Sequence, residues 1–150
     1  MYLDAFIYPE GRINEPDSFL IRIKDGIVLS QKGSMGDDLL AHVNGIFKNG
    51  PEKTPAWEIQ EIMSWLPKML ERAKRNDSEG NYRRHWLQTE LLKCYFRLRD
   101  MWYLGSKKSF AWLEAKDRDT FEKFDTALQP NASTRSIEAL IKEVLKIGKK

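Results

Sequence analysis

The sequence predicts an α+β fold: a short N-terminal antiparallel or mixed sheet followed by a bundle of about five helices. Three observations predict it. Tyr2 to Tyr8 is an aromatic and branched run that stops at Pro9. Residues 19–30 hold two apolar runs joined by Asp25-Gly26, a dipeptide suited to a tight hairpin turn. From Asp37 onward, apolar residues recur every three or four positions, the period of a helix face.

Each element follows from its residues. A strand over 1–8 alternates its side chains, so Asp4 shares a face with Tyr2, Phe6 and Tyr8. Phe19 to Lys24 and Ile27 to Leu29 form the hairpin. Asp37 caps a helix carrying Leu39, Leu40, Val43, Ile46 and Phe47, which Gly50 and Pro51 end. Thr54-Pro55 starts the next helix, since proline at a first helical position forfeits no bond. Its stripe runs from Ile59 through Ile62, Leu66, Met69 and Leu70 to Ala73, and Pro67 is expected to bend or divide it. The strongest helix spans about Tyr82 to Tyr103, with Leu87, Leu91, Cys94, Tyr95, Leu98 and Trp102 on one face. Two further helices are expected, over Phe110 to Leu128 with a break near Ala115 to Asp117, and over Ser136 to Ile147. Short connections make these helices antiparallel neighbours.

A chain of 150 residues with 41% hydrophobic and 31% charged residues suits one globular domain over 1–150. One cysteine, Cys94, forms no internal bridge, and no stretch approaches the roughly 20 apolar residues that cross a bilayer. A cytoplasmic chain with no membrane partner is the expectation. Residues 68–108 hold 11 Lys and Arg against 5 Asp and Glu, an excess that steers anions or simply solvates two helix faces.

Common catalytic constellations are missing. His42 and His85 lack neighbours at metal-ligand spacing, and there is no Gly-x-Ser-x-Gly elbow, phosphate loop or dinucleotide fingerprint. Cys94, on an apolar stripe, reads as a small buried hydrophobe. Trp57, Trp65, Trp86, Trp102 and Trp112 stand at helical spacing and read as core residues, with base stacking as the alternative.

A family likeness rests on particular segments. Leu3-Asp4-Ala5-Phe6-Ile7-Tyr8-Pro9, the hairpin, Lys68 to Arg72, Asp77, Tyr82 to Leu87, Tyr95 to Arg99 and Trp102 to Lys107 together resemble the later part of bacterial nucleotidyltransferase-domain proteins of the polymerase-β-like superfamily. That resemblance implies transfer of a nucleoside monophosphate from a nucleoside triphosphate to a hydroxyl acceptor. It implies two Mg²⁺ ions held by three carboxylates, which stabilise attacking and leaving oxygens together.

Asp4 matches the third of those carboxylates, the one catalytic and metal-binding candidate. The Gly-Ser turn and Asp-x-Asp pair that supply the other two are not found. Gly33-Ser34 precedes Met35-Gly36-Asp37-Asp38 without the required spacing, and Asp117-Arg118-Asp119 reads as a helix start. On the resemblance, residues 1–32 are a remnant of the catalytic sheet and 37–150 the helical substrate-binding region. Arg83, Arg84 and Lys107 are the candidates for contacting triphosphate or an acidic substrate.

Three readings remain open. One is a nucleotidyltransferase-like protein that is incomplete and inactive alone, taking Mg²⁺ only if other residues or another chain complete the site. Another is a helical binding module acting with a separate catalytic chain or RNA. The third is a homodimer formed where an exposed sheet edge needs covering.

Overall fold

The computed structural model describes residues 5–14 and 16–147. Among the described residues there are seven α-helices, one 3₁₀ helix and no strand. The chain divides into two compact units, Met1–Pro51 and Glu52–Lys150.

The first unit holds α1 (Gly11–Asn14), a 3₁₀ helix (Ser18–Ile23) and α2 (Met35–Asn49). Here the expected α+β fold is overturned. The strand expected over 1–8 falls partly outside the described residues, Asp4 included, and residues 5–9 are irregular. In place of the first hairpin strand stands the 3₁₀ helix. Asp17 starts it by accepting the amide of Phe19 at 2.9 Å. The Asp25-Gly26 turn does form, but it closes that helix: the amides of Lys24 and Gly26 donate to the carbonyls of Ile21 and Ile23.

Leu20 and Ile21 explain the outcome. These adjacent residues are both buried, and the 3₁₀ helix packs on α2. Strand geometry would turn them to opposite faces, so burying both would require cover on two sides. A helical turn places them about 120° apart, toward one neighbour. A lone two-stranded hairpin, besides, is marginal in water.

The helix expected from Asp37, counted as the first member of the bundle, lies in the first unit as α2. The second unit is a helical bundle. It comprises α3 (Ala56–Ala73), α4 (Ser78–Arg97), α5 (Ser106–Lys116), α6 (Arg118–Leu128) and α7 (Thr134–Val144). Leu66, Met69 and Leu70 of α3 meet Leu87, Leu91 and Tyr95 of α4, Leu113 of α5, Phe124 of α6 and Ile137, Leu140 and Val144 of α7 in one continuous core. Pro67 does not divide α3, which runs unbroken from Ala56 to Ala73 with the proline exposed.

Three boundaries are set by side chains. Asp77 caps α4 by accepting the amide of Gly80 at 2.8 Å, and Asp117 caps α6 by accepting that of Thr120 at 3.2 Å. Asp117 lies at the break expected near Ala115 to Asp117. The end of α4 comes earlier than expected. Asp100 takes φ 51°, and the amides of Asp100 and Met101 return to the carbonyls of Arg97 and Phe96, the double bond pattern that closes a helix with a left-handed residue.

Candidate functional site

Two salient interactions clamp α3 to α4 and bring their outer faces into one surface. Arg97 grips Glu58 with both Nε and Nη2 at 2.7 Å, a bidentate pair. The Arg97 guanidinium hydrogen-bonds Glu58 and so holds its carboxyl below the ordinary range. Further along the same seam, Trp65 meets Trp86 edge to face, with ring centroids 5.4 Å apart.

Both helices also carry exposed aromatic and cationic groups. On α4, Tyr82 and Trp86 are one turn apart and keep 70% and 41% of their surface in solvent. On α3, Trp57, Lys68 and Arg72 share one outward stripe at spacings of eleven and four. Trp57 is 68% exposed, and Lys68 and Arg72 are exposed without a carboxylate partner among the described residues. The tryptophans read as core therefore divide. Trp65 is half-buried, whereas Trp57 and Trp86 face water.

The residues singled out in the sequence fare differently. Arg83 is neutralised by Glu79, one turn earlier, through Nε at 2.9 Å and Nη2 at 2.8 Å. Arg75 reaches the same carboxylate at 3.0 Å, and these two arginines hold Glu79 below its usual range, Arg83 most of all. Arg84 is half-buried and unpaired among the described residues, about 100° around the helix from Arg83. Lys107 stands exposed in the first turn of α5, beyond the opposite end of α4. About 21 Å of helix separates Arg83 from Arg97 at that end. The structure brings Arg83 and Arg84 together on one turn and leaves Lys107 apart.

Asp4 lies outside the described residues. No group of three or more His, Cys, Asp or Glu side chains among the described residues is placed to hold a metal ion. Cys94 is buried, which pushes its thiol up to about 11, so it stays protonated and inert near neutrality.

The segments that carry the family likeness serve mainly as framework. Leu70, Leu87, Tyr95, Phe96 and Leu98 are core residues, and Asp77 is a cap. Arg99 donates to the carbonyls of Tyr95, Val144, Glu143 and Lys146, tying the end of α4 to the end of α7, with its guanidinium 3.8 Å above the Tyr95 ring. The Tyr95 hydroxyl donates to Asp117 at 2.6 Å.

The exposed seam of Tyr82, Trp86, Lys68 and Arg72 was not assembled by sequence reasoning. Its signal was present in the stripe spacing of each helix, but the pairing of α3 with α4 decides which stripes adjoin. No helix among the described residues is long and apolar enough to cross a membrane. Comparison with family models, curated proteins and solved structures finds no match to this chain.

Proposed function

We propose that this chain is a helical binding module for a nucleotide-bearing ligand, single-stranded RNA in the first instance, and that the α3–α4 seam is its working surface. The observation that carries the reading is that Tyr82 and Trp86 face solvent on α4, with Trp86 edge to face against Trp65 of the packed helix α3, on which Lys68 and Arg72 lie exposed without a charge partner among the described residues. Aromatic faces stack bases at about 1–3 kcal/mol per base, and ammonium and guanidinium groups neutralise the phosphates between them. Nothing in this arrangement supplies a nucleophile or a general base, so the reading is one of binding rather than of chemistry at this surface.

The test is fluorescence anisotropy with a labelled single-stranded RNA across a salt series. Affinity should fall with rising salt, and Lys68→Glu with Arg72→Glu should abolish most of it while the helical circular dichroism is kept. An affinity absent at low salt, or one that ignores both substitutions, overturns the reading.

A second reading keeps the nucleotidyltransferase likeness as enzymology. It is favoured by the resemblance of the segments in α3, α4 and the stretch leading into α5. Asp4 would then hold Mg²⁺ together with carboxylates from another chain, and Arg83 and Arg84 would be the candidates for contacting a nucleoside triphosphate, without Lys107, which lies beyond the other end of α4. Nucleotidyl transfer to a hydroxyl acceptor, dependent on Mg²⁺ and lost in Asp4→Asn, is its expected result. Transfer that survives Asp4→Asn removes Asp4 from it.

A further inference from the structure

The end of α6 carries a charge that its own helix disfavours. Asp125 stands in the last turn, where the carbonyl ends of the helix already concentrate negative charge, and no basic residue shares that turn. Its carboxylate is exposed and has no charge partner among the described residues. The polar groups around it are engaged elsewhere. The Gln129 side-chain amide donates to the Asp125 carbonyl at 3.1 Å, and the Gln88 side-chain amide donates to the Ala127 carbonyl. Arg118, whose guanidinium lies 5.2 Å from the centre of the Phe121 ring, is matched by Glu114 and Glu122 at 3.2 and 3.0 Å.

Beside this carboxylate lies an apolar hollow of about 300 Å³, walled by Phe110, Phe121 and Leu128 and rimmed by Asp125 and Gln129. Phe110 meets Phe121 and Phe124 edge to face, with ring centroids 6.4 and 5.7 Å apart, so its ring is held by packing. Leu128 keeps 42% of its surface in solvent. Aromatic and aliphatic walls with one or two polar groups at the edge are the usual composition of a small-ligand site, and this hollow has the size of a small one. An anion here would meet both the Asp125 carboxylate and the negative helix end. A neutral molecule would leave the carboxylate unmatched. A cation on a compact apolar body satisfies the walls and the charge together.

We infer that the hollow between α5 and α6 binds a small organic ammonium ion, its apolar body against Phe110, Phe121 and Leu128 and its N–H groups donating to the Asp125 carboxylate. The aromatic walls add a cation–π attraction for the ammonium group. The lining residues belong to α5, α6 and the residue after it, so the site is separate from the α3–α4 seam and does not rest on the RNA reading.

Isothermal titration of the full chain with benzylamine, a cation at neutral pH, tests this against benzyl alcohol and benzoate, which keep the ring and change the charge. Benzylamine should bind saturably, benzyl alcohol roughly tenfold more weakly, and benzoate not at all. Asp125→Asn should weaken benzylamine by about tenfold and bring it level with benzyl alcohol. The same substitution removes a negative charge from the wrong end of α6, so without ligand the variant should unfold at an unchanged or higher temperature, which separates loss of the site from loss of the fold. Absence of saturable benzylamine binding, equal affinity for benzyl alcohol, or an affinity that survives Asp125→Asn would overturn the inference. Lys68→Glu with Arg72→Glu should leave benzylamine binding unchanged, so failure of this site and failure of the RNA reading are distinguishable.

Discussion

Thr54 and Asp100, 46 residues apart in sequence, meet at Oδ1 of Asp100: the Thr54 amide donates to it at 2.8 Å, and the Thr54 hydroxyl, 3.0 Å away, shares its one proton between it and the Arg97 carbonyl. The same hydroxyl lies 2.6 Å from the Arg97 carbonyl. One pair of residues thus ties the start of α3 to the end of α4. It does so with Asp100 held at a positive φ that glycine adopts more readily.

That relationship makes an ordered prediction at position 100. Asp100→Asn keeps the side-chain oxygen and tolerates the left-handed conformation, so it should cost least. Asp100→Gly relieves the backbone but loses both bonds to Thr54. Asp100→Ala loses the bonds and keeps the strain, for about 2–4 kcal/mol in total. Urea unfolding of the three variants gives the order, and a Gly variant at least as stable as Asn would show that the side-chain bonds contribute little.

Gly80 should resist a substitution that helices usually welcome. A Cβ there would lie 2.0 Å from the Arg75 carbonyl oxygen, which is backbone and has little room to move. Gly80→Ala is expected to destabilise by about 1–3 kcal/mol, against the roughly 1 kcal/mol gain that helix propensity alone would bring. Thermal unfolding followed at 222 nm decides the sign.

Acid stability should depend on Asp117. Burial pushes its carboxyl up, but hydrogen bonds from Tyr95 and Thr120 outweigh that, and the net shift is downward. A folded-state value below the unfolded one stabilises the fold above the ordinary aspartate range of about 4, and that contribution is lost as the pH falls through it. Asp117→Asn retains a good helix cap and removes the titration. The variant should lose less stability than wild type between about pH 6 and about pH 3. Tyr95→Phe, which deletes one of the donors, should flatten the same profile, and unfolding at the two pH values measures it.

Binding at the proposed surface should distinguish the exposed tryptophan from its paired neighbours. Trp86→Ala is expected to weaken single-stranded RNA binding by about 5- to 100-fold, the equivalent of one lost stacking contact. Arg83→Ala should matter less, because Glu79 already holds that guanidinium. Anisotropy titrations at fixed salt compare the two, and equal losses would point away from stacking at Trp86.

Cys94 should be silent toward thiol reagents in the folded chain. Its burial and raised pKa leave little thiolate and little access. Labelling with a disulfide reagent should proceed only as urea unfolds the bundle, with a midpoint matching that seen by circular dichroism.

Much of the bundle was legible from residue order. The stripe Ile59 to Ala73 and the stripe Leu87 to Leu98 specify helices because their apolar positions repeat locally, and a local repeat needs no knowledge of the partner. The break at Asp117 was legible for the same reason, since a cap acts on amides two or three residues away. The pairing of Arg83 with Glu79 is legible too, since the two stand one turn apart, and it fits the reading of the basic excess as solvated helix faces.

What only the tertiary structure decided depends on residues distant in sequence. Leu20 and Ile21 form a 3₁₀ turn because a single helix covers them, and no window of sequence states how many faces will be covered. Trp57 and Trp86 are exposed while Trp65 is half-buried because the packing of α3 on α4 through their apolar stripes, bridged by the Glu58–Arg97 pair 39 residues apart, decides which positions are covered. Local periodicity determined which residues form helices in this protein. The long-range contacts, whose geometry depends on every helix at once, determined which aromatic and cationic groups share a surface.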